Sequence, residues 1–225
     1  FTLDVCSALQ IVYNPNKYTI MGNLVMSALT QHVLTISEAD YLEGEKLSEI
    51  KHEYINGDVY AMSGASANHN RIAGNLYRRL GNHLENKPCQ PYTSDMKVKT
   101  EAKYFYPDVL VDCSNLVGSS YFTQTPILIV EVLSKSTRQT DEKLKRTVYT
   151  QIASLQEYVL IEQDFVDVEI IRRRTGWQSE HYFLGESINF ESVDLSISVE
   201  DIYYRVDNGD VKEWLDTKAA ELTAE

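Results

Sequence analysis

Two carboxylates sit where carboxylates are costly. The run Tyr104-Phe105-Tyr106-Pro107-Asp108-Val109-Leu110-Val111-Asp112 carries Asp108 among strand formers, and Ile127-Leu128-Ile129-Val130-Glu131-Val132-Leu133 carries Glu131 inside an apolar stretch. A charge in a sheet core is unfavourable unless a partner meets it. Side chains alternate along a strand, so Asp108, Leu110 and Asp112 share one side, and Ile127, Ile129, Glu131 and Leu133 share one side of the other run. If the two strands are neighbours, a suitable register brings Asp108 close to Glu131. Two carboxylates, the Val132 backbone carbonyl and water suit a hard divalent cation, Mg²⁺ or Mn²⁺. Such an ion polarises a phosphate oxygen and activates an attacking water. The other reading gives Asp108 a turn-capping role after Pro107 and ties Glu131 to a buried Arg or Tyr.

Three further residues belong to this question. In Ser134-Lys135-Ser136-Thr137-Arg138-Gln139-Thr140-Asp141-Glu142-Lys143-Leu144-Lys145, a helix over 138–152 aligns Asp141, Lys145 and Tyr149 on one face. Lys145 then either presents its ammonium to a phosphate or a water, or pairs with Asp141 one turn away. His69 shares a side with Ile72 and Leu76, so core packing with one ring hydrogen bond competes with metal ligation. Glu53 faces the side of Lys51 and Ile55, as a hairpin surface charge or as a third acid of a cleft.

The elements that must position these residues follow from periodicity. Ile72, Leu76, Leu80 and Leu84 recur every four residues, which predicts a helix over 67–84, stopped by Pro88-Cys89-Gln90-Pro91. Asn56-Gly57 predicts a hairpin, and Thr35-Ile36-Ser37-Glu38 resembles a capping box before a short helix. Strands are predicted at 94–99, 105–112, 126–133, 155–161 and 166–171, with a return strand within 177–184 after Gly176. Strands mixed with helices and no internal repeat point to one α/β domain.

The formal net charge of −12 over 225 residues argues against coating nucleic acid through a broad basic surface. No segment reaches the roughly 18 uninterrupted apolar residues of a membrane span, and the first residues lack a signal-peptide pattern. A cytoplasmic, non-membrane protein is expected. Cys6, Cys89 and Cys113 are odd in number and widely spaced, so they read as reduced thiols, neither a disulfide framework nor a zinc site. Residues 1–33 read as a poorly patterned extension, with Met21 or Met26 as the more natural start, and residues 207–225 as an acidic tail.

Several motifs together resemble the Uma2 family. They are HEYINGDVYAMSGAS, NHNRIAGNL, SDMKV, YPDVLVD, LIVEVLSKSTRQTDEKLKRTVY and LQEYVLIEQ, and they cover about Leu34 to Val206. The resemblance implies a restriction-endonuclease-like α/β core of the PD-(D/E)XK type, a central mixed sheet flanked by helices. It implies a metal-dependent endonuclease acting on DNA, with Asp108 and Glu131 as metal-binding carboxylates, Val132 lending its carbonyl and Glu53 as an additional acid. The wider superfamily places a lysine two residues after the second acid, where this chain has Leu133. The role is then expected of Lys145, with Lys97 in reserve. Loss of that lysine keeps an alternative open: a catalytically weak or inactive module binding nucleic acid or protein on the same scaffold. A purely structural oligomer is the third reading. Because duplex cleavage needs two sites or two binding events, a homodimer is expected of the enzyme.

Overall fold

The computed structural model describes residues 35–134, 138 and 140–224. The expectations for residues 1–34, and Cys6, lie outside them. The chain forms two compact units that part between Ser63 and Gly64.

In the first unit, α1 (Glu38–Glu45) is capped by Ser37, whose Oγ accepts the Asp40 N–H at 3.1 Å. Strands β1 (His52–Ile55) and β2 (Asp58–Ala61) form the expected hairpin. Its turn places Asn56 at φ 53° and Gly57 at φ 104°, a backbone that Asn-Gly adopts with little strain. Tyr41 of α1 stacks on Tyr54 of β1 at 5.0 Å and donates its hydroxyl to the His52 carbonyl at 2.6 Å.

The second unit opens with α2 (Ala67–Leu84), capped by Ser66 through the His69 N–H at 3.1 Å. There follow β3 (Gln90–Thr93), β4 (Lys97–Thr100), β5 (Lys103–Phe105), β6 (Val109–Asp112), β7 (Phe122–Thr123) and β8 (Pro126–Leu133). A π-helical turn (Thr140–Lys145) runs into α3 (Arg146–Tyr149). Then come β9 (Glu157–Glu162), β10 (Val168–Arg172), β11 (Ser179–Tyr182), β12 (Ser187–Phe190), β13 (Leu195–Ser198), α4 (Val199–Ile202) and α5 (Gly209–Ala224). No helix of the described residues is long and apolar enough to cross a membrane.

The central sheet has the order β11-β10-β9-β8-β6-β3. The β8–β9 pair is parallel and the other pairs are antiparallel, so the sheet is mixed. Strands β6, β8 and β9 are buried at every position, which requires cover on both faces. On one face, Ile72, Leu76 and Leu80 of α2 pack on Val109, Val111, Leu128, Val130 and Val159, joined by Ile188, Ile197 and Ile202. On the other, the rings of Phe105, Tyr149 and Tyr158 meet edge to face at 5.6 and 5.4 Å.

Three expectations need correction. The strand expected over 105–112 is two strands, because Tyr106-Pro107-Asp108 lies between β5 and β6; Pro107 has no N–H to give a ladder. β5 pairs with β4, whereas β6 pairs with β3 and β8. The segment expected only to stop α2 is itself β3, and Pro91 is tolerated there because β3 is an edge strand. Cys89 and Cys113 are not reduced thiols: they form a disulfide. Gln90 faces Asp112 across the β3–β6 pair, so the next position outward sets the two cysteines opposite each other.

The disulfide closes a loop over a sequence separation of 24. Replacing both cysteines by alanine is expected to lower unfolding stability by about 3 kcal/mol, from loop-closure entropy in the unfolded chain. Urea unfolding of the oxidised protein and of the double variant checks this; equal midpoints would overturn it.

Candidate functional site

Asp108 sits at the mouth of the central sheet because β6 begins one residue later. Val109 pairs with Val130, and one further step in this antiparallel register sets Asp108 against Glu131. With no strand residue to meet it, the Val132 N–H is taken by the Asp108 side chain, donating to Oδ2 at 2.7 Å. The same oxygen lies 3.2 Å from Nε2 of His69, which reaches it from the first turn of α2. Burial alone would lower the His69 pKa. The hydrogen bond and charge of Asp108 oppose this, as do the Val132 carbonyl and the more distant Asp141, and the net effect is a pKa above the ordinary histidine value.

Glu131 meets different partners. Its Oε1 lies 3.2 Å from the Lys145 ammonium and accepts the Tyr149 hydroxyl at 3.3 Å. Lys145 also stands 3.0 Å from Oδ1 of Asp141. That contact is an ion pair by distance only, since the oxygen accepts no aligned hydrogen bond. The side chains of Glu131, Lys145 and Asp141 are only 4%, 6% and 2% exposed. The π turn supplies two of them, and π geometry in a short segment often marks a specialised site. Tyr158 donates its hydroxyl to the Asp141 carbonyl at 3.1 Å. Burial first, and then the Glu131 charge, push the Tyr158 phenol well above its ordinary pKa, so it stays a neutral donor.

Of the residues predicted from sequence, Asp108 and Val132 are in direct contact, and Lys145 reaches Glu131. Leu133 is buried, as an apolar residue in this position should be. Lys97 is also buried, with its ammonium 4.8 Å from the Tyr106 ring centroid. Glu53 stands half-buried on β1, opposite Tyr60 in the first unit. The partner of Asp108 was not assigned from sequence. The available signal was a titratable ring on the otherwise aliphatic face of α2.

The donor chemistry of Asp108, Glu131 and the Val132 carbonyl is that of a hard-cation site, but the arrangement does not fit one. Asp108 and the Val132 carbonyl are engaged by His69, and Glu131 by Lys145 and Tyr149. Among the described residues, no group of three or more His, Cys, Asp or Glu side chains is placed to hold a metal ion.

A cleft of about 210 Å³ opens beside Asp108 and His69. Ala65, Asn70, Ala73, Gly74 and Tyr77 of α2 and its approach form one wall, and Thr93 and Ser94 the other.

Comparison with known proteins places these features on a familiar scaffold. Residues 38–200 match the model of the Uma2 family, described as "Putative restriction endonuclease". "Uncharacterized protein slr1290" of Synechocystis is 34% identical over 173 residues, covering 75% of this chain and 91% of that protein. A second Synechocystis protein, "Uncharacterized protein sll1609", is 37% identical over 150 residues, covering 64% of this chain and 84% of its own length. A crystal structure from Anabaena variabilis, of "a putative nuclease belonging to DUF820", superposes with a TM-score of 0.56 at 19% identity. It covers 69% of this chain and 91% of that one, a likeness of fold.

Two outcomes follow from the geometry. Lys145→Met strands two buried carboxylates and is expected to cost about 3–5 kcal/mol in urea unfolding. Adding Glu131→Gln should recover part of that loss; additive losses would mean the two side chains do not interact. The His69 pKa is raised, so its pair with Asp108 contributes stability fully below about pH 6.5, the unfolded value. That contribution is lost as pH rises through the higher folded value. As pH rises above about 6.5 the unfolding midpoint should therefore fall more in the native protein than in His69→Gln; parallel curves would contradict it.

Proposed function

The chain belongs to the Uma2 family, and from that premise we propose that it is a nucleic-acid-binding protein on a nuclease-like α/β scaffold, with weak or no phosphodiester hydrolysis. The observation that carries this reading is the compensation of both acids by the protein's own donors. Lys145 neutralises Glu131 in a sealed interior, and His69 answers Asp108 at the cleft. A cation would have to replace these partners rather than fill a waiting site. Binding through one local cleft also suits an acidic chain, since a net charge of −12 disfavours a long run of phosphate contacts.

The hydrolase reading is supported by one specific observation. Lys145 comes from the π turn to the second acid, at 3.2 Å, as expected of a lysine that has migrated from the position of Leu133. On that reading Asp108, Glu131 and the Val132 carbonyl hold Mg²⁺ or Mn²⁺, Lys145 is the cationic residue and Glu53 an additional acid. DNA is the substrate, cut by a homodimer. A cytoplasmic location suits either reading.

A labelled DNA strand incubated with the protein, in EDTA and in Mn²⁺, separates the two. The proposal expects binding in EDTA, no cut product in Mn²⁺ over hours, and no calorimetric Mn²⁺ affinity tighter than millimolar. Multiple-turnover cleavage in Mn²⁺ that disappears in Asp108→Ala would replace it with the hydrolase reading.

A further inference from the structure

The cleft beside Asp108 has a composition unlike that of a phosphate-binding groove. Among the described residues its lining includes no Lys or Arg, and it does include His69 and Asp108. The rest is small or polar and uncharged, apart from one aromatic ring, Tyr77, which is 38% exposed. His69, Ala73 and Tyr77 follow at four-residue steps, so all three lie along one face of α2. The imidazole and the phenol are two turns apart, about 12 Å along the axis. Gly74 lies between them, and a Cβ added there would meet nothing within 4 Å. The wall is therefore open at Gly74.

Size and charge narrow the occupant. A volume of about 210 Å³ suits one flat ring system rather than a whole cofactor. An acidic chain that binds nucleic acid through these described side chains can draw affinity from the bases. Stacking on an aromatic ring provides it, because every base has a π face.

We propose that this cleft receives one unpaired base of a single nucleic-acid strand, stacked on Tyr77, with the adjoining sugar-phosphate toward His69. Thr93 and Ser94 line the opposite wall. A base inside a duplex is stacked and paired, and it would have to leave the helix to enter. The cleft thus selects single strands over duplex. This rests on the nucleic-acid-binding reading and adds to it the form of the ligand.

The test measures fluorescence anisotropy with the full chain in EDTA. The probes are a labelled oligothymidylate strand, the same strand annealed to its complement, and an abasic strand of equal length. The open strand should bind about tenfold tighter than either the duplex or the abasic strand, the scale of one stacked base. Gly74→Leu, which fills the cleft without a clash, and Tyr77→Ala should each weaken strand binding about tenfold, with Tyr77→Phe unchanged. Leucine favours a helix more than glycine does, so folding is not at risk in Gly74→Leu. Strand and duplex bound equally, an undiminished abasic strand, or indifference to both substitutions would overturn the proposal alone. Binding of no probe would overturn it together with the reading on which it rests.

Discussion

The ammonium of Lys145, held between two carboxylates in a dry interior, is the constraint around which the second unit is arranged. An isolated charge taken out of water costs several kcal/mol, and mutual attraction recovers that cost only with good geometry and further hydrogen bonds. Glu131 reaches that condition with one ammonium and one phenol. Asp141 reaches it only in part, since one of its oxygens lacks an aligned donor. Tyr149 donates its hydroxyl to Glu131, and Tyr158 donates its own to the Asp141 backbone carbonyl. Their rings also close the core on this face, packing edge to face with each other. Packing and charge compensation are therefore carried by the same side chains, and β8, the π turn and α3 are mutually dependent.

The two acids share a place in the sheet but not an environment. Asp108 precedes its strand and keeps a side chain 15% exposed, facing a histidine whose pKa its own charge and hydrogen bond help to raise. Glu131 lies in the middle of its strand and faces a lysine with almost no access to water. One acid belongs to an open cleft; the other belongs to the core. In a nuclease both would address the same ion. Here the register sets Asp108 against Glu131, while their surroundings give them different partners. Family membership establishes the scaffold, and the surroundings of each acid govern what the scaffold does.

The sequence carried the elements whose signals are local. Four-residue spacing from Ile72 to Leu84 gave α2, Asn56-Gly57 gave the first hairpin, and the apolar run 126–133 gave β8, all near their observed bounds. Lys145 was also legible, because Asp141, Lys145 and Tyr149 keep a helical spacing even where the turn is π rather than α. What escaped depends on chain segments meeting from a distance. The disulfide exists because antiparallel pairing of β3 with β6 sets two cysteines opposite each other, which spacing alone does not reveal. The hairpin of β12 and β13 was not expected, although Ser187–Phe190 and Leu195–Ser198 both alternate polar and apolar residues. The His69–Asp108 contact needs α2 to cross the sheet end, so a lone histidine on a core-facing stripe gave only a hint.

The same asymmetry decides where a cation could first enter. Displacing Lys145 would strand Asp141 as well as free Glu131, and the π turn that carries the lysine would have to rearrange. Displacing His69 asks far less, because its side chain is partly exposed and borders a cleft with open volume. An entering cation would therefore meet Asp108 and the Val132 carbonyl first, with a single carboxylate on offer. Mg²⁺ sheds its water reluctantly and in such sites relies on further oxygens, often those of a bound phosphate. Glu131 could add its oxygens only after its ammonium leaves. The two acids thus differ in how readily their protein partners can be displaced, and the buried Lys145 is the harder of the two to move.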